Sequence, residues 1–182
     1  MNPFPVADDV ALHGQQLNFL AGLRSFEDSG FGRLDEPVLL AVDFCTPMEL
    51  KTMRFEGGLH YTYDDADGTS AGQDVNLKGT TLELSAGLNY ALELARFRPY
   101  LGFGGSLLWV KLRGIDEDVD VVFDDSDVTA GGYAKAGLLF QLTRAAHVGI
   151  EYRHFEGGQV SLDGTDLSTN YDQFALVFGA SF

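Results

Sequence analysis

The sequence predicts an all-β fold, an eight-stranded antiparallel up-and-down transmembrane β-barrel. Three observations support this prediction: eight stretches alternate with a period of two, short and long connections alternate between them, and the two faces of each stretch differ in character. A strand sends successive side chains to opposite faces, so each such stretch is a two-faced strand. We predict that residues 16–182 form the barrel and that residues 1–15 form a separate N-terminal periplasmic segment.

The predicted strands are long, and a tilted strand that crosses a bilayer needs about 9–11 residues. The last strand shows the alternation most clearly, because Phe174, Leu176, Phe178 and Phe182 share one row while small or polar residues fill the other. The eight predicted strands are Gln16–Phe26, Val38–Cys45, Lys51–Tyr63, Gly79–Leu92, Arg98–Arg113, Val128–Leu142, Ala145–Phe155 and Tyr171–Phe182.

The predicted connections alternate in length along the chain. Short connections follow the second, fourth and sixth strands, at 46–50, 93–97 and 143–144. Long connections follow the other strands, at 27–37, 64–78, 114–127 and 156–170. This alternation is typical of membrane barrels, which have tight turns on one side and large loops on the other. An even number of strands places both ends of the barrel on the turn side.

The distribution of glycines predicts which row points inward. Nine strand glycines lie on the polar row and three on the apolar row. The interior of an eight-stranded barrel is only wide enough to be filled by side chains, so the glycine-rich polar row is predicted to face the lumen. The apolar row then faces lipid. A soluble lipocalin-like barrel is the alternative, but it would put most glycines on the outer surface without a reason.

Charged residues on the polar row are predicted to form a lumen network of four cations and four anions. Mutual pairing is the way in which a narrow lumen tolerates buried charge. His60 and His147 also have inward parity and are predicted to belong to this network. The eight charged members are Arg24, Asp43, Arg54, Glu56, Glu83, Lys135, Glu151 and Arg153.

Composition excludes several classes of function. The net charge of −15 argues against nucleic-acid binding, which needs basic surface. The single cysteine, Cys45, excludes an internal disulfide framework and a thiolate metal site. No run of eighteen apolar residues encodes a transmembrane helix. The opening residues look like a mature N-terminus with an added Met1, from which an export signal has been removed.

Three motifs resemble the small outer-membrane barrels of Gram-negative bacteria, the OmpA-type, OmpX/Ail and opacity-protein group. They are FRPYLGFGG at 97–105, LTRAAHVGIEYRHF at 142–155 and the terminal alternation that ends at Phe182. The resemblance implies an outer-membrane location with periplasmic termini and extracellular loops. It also implies contact with lipopolysaccharide. In this group the C-terminal pattern is an assembly signal for the barrel-insertion machinery, and here it comprises Phe174, Leu176, Phe178 and Phe182.

The excess negative charge lies in the long connections, and 114–127 alone carries seven acidic residues and no basic one. Five of them have the spacing of a calcium-binding loop, with ligands at positions 1, 3, 5, 9 and 12. Val121 replaces the central glycine and the last position is not Glu, so two interpretations stay open, a solvated acidic tip and a weak calcium site. No other cofactor is predicted. The five residues are Asp116, Asp118, Asp120, Asp124 and Asp127.

We predict a structural or interaction protein that displays four acidic loops to a partner, and no enzymatic activity. The partner is an extracellular or periplasmic protein, whose identity the sequence leaves open. A lipid A acyl hydrolase is the alternative, because some members of the resembling group carry a lipid-facing His-x-Ser near the outer rim. Here His154 is followed by Glu156 instead of Ser, and Ser161 is the nearest hydroxyl along the loop. A narrow ion channel is the third possibility.

Overall fold

The structure is a computed structural model that describes residues 14–27, 37–50, 52–70, 73–116, 123–162 and 164–182. Most of the predicted N-terminal segment, residues 1–15, lies outside the described residues. In the described part of the chain no helix is long and apolar enough to cross a membrane.

Ten strands form in these residues, and eight of them close an antiparallel barrel in the order β1-β10-β7-β6-β5-β4-β3-β2. The remaining two, β8 and β9, form a separate hairpin. The barrel closes where β1 pairs with β10, from Gln16 opposite Ser181 to Phe26 opposite Tyr171. The predicted fold class is therefore confirmed. The strands are β1 Gln16–Phe26, β2 Val38–Pro47, β3 Met53–Ser70, β4 Gln73–Ala91, β5 Phe97–Asp116, β6 Phe123–Gln141, β7 Ala146–Gly157, β8 Gln159–Leu162, β9 Thr165–Ser168 and β10 Tyr171–Ser181.

Apolar side chains face outward and charged side chains face inward. Leu84, Ile150 and Phe178 are 60%, 59% and 53% exposed, whereas Arg24 and Glu83 are completely buried. A water-soluble barrel has the opposite arrangement, so the lipocalin-like alternative is excluded. The exposed apolar surface is the belt that a membrane barrel presents to lipid.

Inward glycines make room for aromatic side chains in the lumen. A Cβ atom added at Gly137 would fall on the ring of Tyr100, and one added at Gly104 would lie 2.8 Å from the ring of Tyr133. The outward Gly105, in contrast, has nothing nearer than 3.7 Å. This crowding explains why the glycine-rich row faces the lumen, because only a residue without a side chain leaves space for the rings.

Two predicted loops are strands instead. The connections predicted at 64–78 and 114–127 are largely β-structure, because β3 and β4 extend to 70 and 73 while β5 and β6 extend to 116 and 123. These four strands contain 18 to 20 residues each, about twice the length that a bilayer crossing needs. Beyond the membrane both faces of a strand meet water, so apolar alternation ends although the backbone ladder continues. The prediction from alternation found only the lipid-facing part.

The fourth long connection, predicted as a loop at 156–170, contains the β8–β9 hairpin. We call Gln159–Ser168 the lid hairpin, because Val160, Leu162 and Leu167 are buried in an apolar cluster at the loop end of the barrel. The backbone N–H of Gly158 donates to the carbonyl oxygen of Ala130 at 3.2 Å and anchors the start of the hairpin to β6. The connection folds because its own apolar residues alternate over two short strands.

Aromatic pairs mark both edges of the apolar belt. On the turn side Phe97 packs against Phe140 with ring centroids 5.2 Å apart. On the loop side Tyr152 packs against Phe174 at 4.9 Å. Aromatic girdles of this kind sit at the two membrane–water interfaces of barrels. The residues beyond the Tyr152–Phe174 pair therefore form an outer rim above the lipid.

Candidate functional site

The structure places all eight predicted members of the lumen network inside the barrel, where each is buried. Seven of them form two clusters, and the eighth, Arg54, lines a small cavity nearer the turn side. The Glu83 cluster lies toward the loop side and contains Glu83, Arg24 and Arg153. The Lys135 cluster lies toward the turn side, between β2, β3, β6 and β7.

In the Glu83 cluster, one carboxylate serves two guanidinium groups. Arg24 Nη2 donates to Glu83 Oε2 at 2.7 Å, and Arg153 Nη2 pairs with Oε1. The hydroxyl of Tyr171 donates to the same carboxylate. The guanidinium of Arg24 also lies 3.9 Å from the centre of the Tyr171 ring, and that of Arg153 lies 3.7 Å from the Tyr133 ring. Ion pairing with Glu83 and stacking on tyrosine rings thus both stabilise the buried guanidinium groups of Arg24 and Arg153.

In the Lys135 cluster, one ammonium group serves three carboxylates. Lys135 Nζ lies 3.0 Å from Asp43 Oδ2, 2.6 Å from Glu56 Oε1 and 2.9 Å from Glu151 Oε2. A lysine ammonium has three donors, and each of them has its own carboxylate here. The predicted network member His60 lies 3.0 Å from Asp43 through Nε2. The cluster crosses the barrel and fills it.

Sequence reasoning missed a fifth buried cation, Arg98. Its side chain is 5% exposed, and Nη2 donates to Gln16 Oε1 at 2.6 Å from β5 across the lumen to β1. Arg98 has the same parity as the lumen-facing Tyr100 and Gly102, and this parity could have identified it. It is, however, the first residue of the predicted strand, where parity is a weak guide to the direction of a side chain. Among the described residues the lumen holds five buried cations and four buried carboxylates. His147, the other predicted histidine, contacts Asn18 Oδ1 at 2.7 Å.

The lid hairpin covers the loop side of the Glu83 cluster. Its buried residues pack in one apolar cluster with Leu108, Phe155 and Tyr171 of the barrel wall. Because Tyr171 also donates to Glu83, the apolar cluster rests directly on the ionic one. The lumen is therefore closed at its loop end by packed side chains.

The outer rim carries the residues considered for hydrolysis. His154 Nδ1 lies 2.8 Å from Asp172 Oδ1, and the Tyr152 hydroxyl donates to the same oxygen at 2.6 Å. Asp172 was not selected from the sequence, although the β7–β10 register sets it directly opposite His154. Glu156 lies 3.8 Å from His154 Nε2. Ser161 belongs to the lid hairpin, where its backbone N–H donates to Asp127.

Two described groups bear on metal binding. Glu27, His154 and Asp172 each have a ligand atom within 4.8 Å of the others, so this rim group has the spacing of a metal site. The predicted calcium loop has no such spacing in its described part. Asp124 pairs with Lys111 at 2.7 Å, and Asp127, three residues further along the same strand, accepts backbone N–H groups instead.

Residues 123–127 are strand, and a strand sends residues three apart to opposite faces. Asp124 and Asp127 therefore lie on opposite faces of β6, and the weak calcium site at 116–127 stays a prediction. Asp118 and Asp120 lie outside the described residues.

A closed antiparallel barrel with an apolar outer belt, two aromatic girdles and a charged, filled lumen defines a small integral barrel of the bacterial outer membrane. The model of the family described as "Outer membrane protein beta-barrel domain" matches residues 47–182, and the chain belongs to this family. The belt accordingly faces the lipid of the outer membrane, with the turn side in the periplasm and the loop side outside the cell.

Solved structures have the same fold. The outer membrane protein OprG from Pseudomonas aeruginosa is 14% identical, with a TM-score of 0.66 over 93% of this chain and 96% of that chain. Neisserial surface protein A is 14% identical, with a TM-score of 0.63 over 92% and 96%. Ail of Yersinia pestis, in complex with the heparin analogue sucrose octasulfate, is 12% identical, with a TM-score of 0.58 over 93% and 97%. No curated protein sequence matches the chain significantly.

Proposed function

We propose that this protein is a non-catalytic outer-membrane scaffold that presents acidic loops to the exterior. The observation that carries the proposal is the filled lumen: a packed apolar lid rests on the Glu83 cluster, and the Lys135 cluster fills the barrel below. A barrel filled in this way offers neither a wide water path nor an internal substrate pocket. Its accessible chemistry is on the surface.

The loop side offers negative charge to a partner. The segment 114–127 carries seven acidic residues, and its two described ends, Asp116 in β5 and Phe123 in β6, lie beyond the membrane belt. Lys111 and Arg113 both pair with Asp124, which lies at the β6 end of this segment. The structurally similar Ail holds a sulfated polyanion, whereas the acidity of this chain favours a cationic partner or a cation-bridged lipopolysaccharide phosphate.

The test measures binding of a small cationic protein, cytochrome c, to bacteria that carry the barrel. One variant converts the seven acidic residues of 114–127 to their amides. The matched control converts Glu49 and Glu93, exposed acids on the turn side, to Gln. We expect the loop variant to reduce binding at low salt and the control to leave it unchanged. Equal binding to both variants would contradict display of the acidic segment.

Lipid hydrolysis is a second candidate, because Asp172 holds His154 through Nδ1 and leaves Nε2 directed away from that bond. A nucleophile is also needed, and Glu156 occupies the place where the resembling hydrolases carry Ser. The assay follows fatty-acid release from lipid A in detergent micelles for wild type, His154→Ala and Ser161→Ala. We expect no release from any of them. Release by wild type that is lost in His154→Ala would replace the scaffold proposal with an enzyme.

A further inference from the structure

The turn side carries a basic pocket in an otherwise acidic protein. We define the arginine pocket by Arg96 in the β4–β5 turn, Arg98 at the start of β5, Arg144 in the β6–β7 turn and His147 at the start of β7. Arg96 and Arg144 are exposed at the mouth, whereas Arg98 and His147 are buried behind them. A net charge of −15 makes this concentration of arginine stand apart from the rest of the surface.

Arg98 has an unused buried donor. Its Nη2 is engaged by Gln16 at 2.6 Å, but Nη1 is buried and has no hydrogen-bond partner among the described residues. Arg54 lines the same small lumen cavity as Arg98, so a second cation lies on its inner side. Leaving a buried charged donor unsatisfied is costly, and an anionic acceptor would remove that cost.

The size of the pocket limits which part of an anion can enter it. Its volume is about 10 Å³, room for a single oxygen-sized atom. The pocket therefore has room for one oxygen of a larger group, and the exposed Arg96 and Arg144 lie at its mouth. Phe97, Leu142 and Phe182 are exposed beside these turns, which places the mouth at the membrane interface where lipid phosphates lie.

From this geometry we infer that the arginine pocket binds a phosphate group. Guanidinium groups match phosphate oxygens in charge and in planar, bidentate geometry, and three arginines line this pocket. The phosphate belongs either to a lipid headgroup of the periplasmic leaflet or to a free phosphate ion. Both sources offer the same chemistry to the pocket, and they are separated by experiment.

The experiment titrates inorganic phosphate into the folded barrel in maltoside micelles, with chloride adjusted to keep the ionic strength constant. Amide chemical shifts of residues 96–98 and 143–147 report binding. Arg144→Gln removes an exposed arm of the pocket, and Arg113→Gln removes an exposed arginine from the loop side as the matched control. We expect saturable shifts in wild type and in Arg113→Gln, with affinity about tenfold weaker in Arg144→Gln, since a charge-assisted hydrogen bond supplies a factor of that order.

The same titration in phospholipid nanodiscs separates the two sources. If lipid phosphates fill the pocket, the shifts in nanodiscs already equal those of the phosphate-saturated micelle sample and added phosphate changes nothing. If the ligand is the free ion, phosphate still titrates the pocket in nanodiscs. The proposal is overturned if phosphate gives no saturable shifts in micelles, if chloride reproduces them, or if Arg144→Gln binds as well as Arg113→Gln.

Discussion

At the scale of single residues, the buried charges of this barrel are shared instead of paired one to one. Glu83 accepts from two arginines, and Lys135 donates to three carboxylates. A buried ion pair adds little net stability over apolar packing, but removal of one partner leaves an uncompensated charge. The penalty is larger for a residue that pairs with several partners, because its loss leaves several buried groups of like charge close together.

Glu83→Gln should therefore be strongly destabilising. The amide keeps the shape of the side chain but leaves Arg24 and Arg153 close together without an anion, and breaking a buried ion pair costs about 3–5 kcal/mol. Urea unfolding in detergent micelles, followed by the fluorescence of Trp109, measures the change in unfolding free energy. Glu156→Gln, which alters an exposed carboxylate on the rim, should change it by less than about 0.5 kcal/mol. A small effect of Glu83→Gln would show that the two arginines are held mainly by stacking on Tyr171 and Tyr133.

Gly137→Ala tests the contact between glycine and ring in the lumen. The added methyl group would fall on the ring of Tyr100, whose hydroxyl donates to Glu151 at 2.7 Å, so the ring cannot move without disturbing the Lys135 cluster. Overpacking of this kind costs about 1–3 kcal/mol. Gly105→Ala adds the same methyl group on the outer face, where nothing lies within 3.7 Å, and should be nearly neutral. The same urea unfolding measurement compares the two variants, and equal effects would argue against crowding as the reason for inward glycines.

At the scale of elements, the lid hairpin depends on a titratable anchor. Asp127 lies in the part of β6 beyond the membrane belt, and its two oxygens accept the backbone N–H groups of Val128 at 2.7 Å and Ser161 at 2.9 Å. The bond from Ser161, followed by that from Val128, lowers the pKa of Asp127. A lowered folded-state pKa stabilises the anchored lid at pH values above the unfolded pKa of about 3.9, and this contribution is lost as the pH falls through the folded value.

Hydrogen exchange of the Ser161 amide measures this anchor. We expect its protection factor to be constant from neutral pH down to about pH 4 and to fall below it, where Asp127 becomes protonated. Asp127→Asn should show weaker protection at neutral pH and no such fall. Asp64→Asn, which changes a half-buried aspartate on the β3–β4 hairpin whose carboxylate accepts the backbone N–H of Asp65, serves as the control and should behave as wild type. An identical acid-dependent fall in Asp127→Asn would assign the transition to another group.

The elements that lipid constrains are the ones that the sequence predicts well. The bounds of β1 are predicted to the residue, because apolar alternation begins and ends with the membrane belt there. The outer ends of β3 to β6 are missed, and in β3 the reason is that Asp64 and the residues after it are almost all polar or small on both faces. The lid hairpin is missed for another reason: its two strands have four residues each, too few for the alternation of Val160, Leu162 and Leu167 to mark a strand, and the burial of these residues against the barrel is a long-range contact.

At the scale of the whole molecule, the sequence predicts which side chains face the lumen and which face lipid. It does not predict which lumen residues pair with each other. Parity assigns Arg24, Glu83 and Lys135 to the interior, yet it cannot state that Arg24 meets Glu83 across the barrel or that Lys135 collects three carboxylates. Those partners depend on strand tilt and register. Charge is also distributed unevenly along the barrel axis. Acidic residues dominate the loop side, whereas on the turn side the exposed Glu49 and Glu93 balance the exposed Arg96 and Arg144.

Closure of the lumen at more than one level leads to a last prediction, on ion conductance. Wild-type protein in planar bilayers should give no discrete channel openings. Replacing 159–168 by a short Gly-Ser linker removes the lid, but the barrier below remains, because Arg24 and Arg153 stay bound to Glu83 and stacked on Tyr171 and Tyr133. We therefore expect the lid deletion to be non-conducting as well.

Conductance should appear only when the lid deletion is combined with Glu83→Ala and Arg153→Ala, which open the ionic cluster beneath it, and with Lys135→Ala, which opens the cluster that fills the barrel below. The matched control combines the lid deletion with Gly105→Ala, a change on the lipid face that leaves the lumen intact. Openings in the lid deletion alone would mean that the lid hairpin, and not the ionic cluster, forms the principal barrier. A lumen filled by its own side chains has no continuous path for hydrated ions. Openings in wild type would therefore contradict the closed scaffold and favour the ion channel.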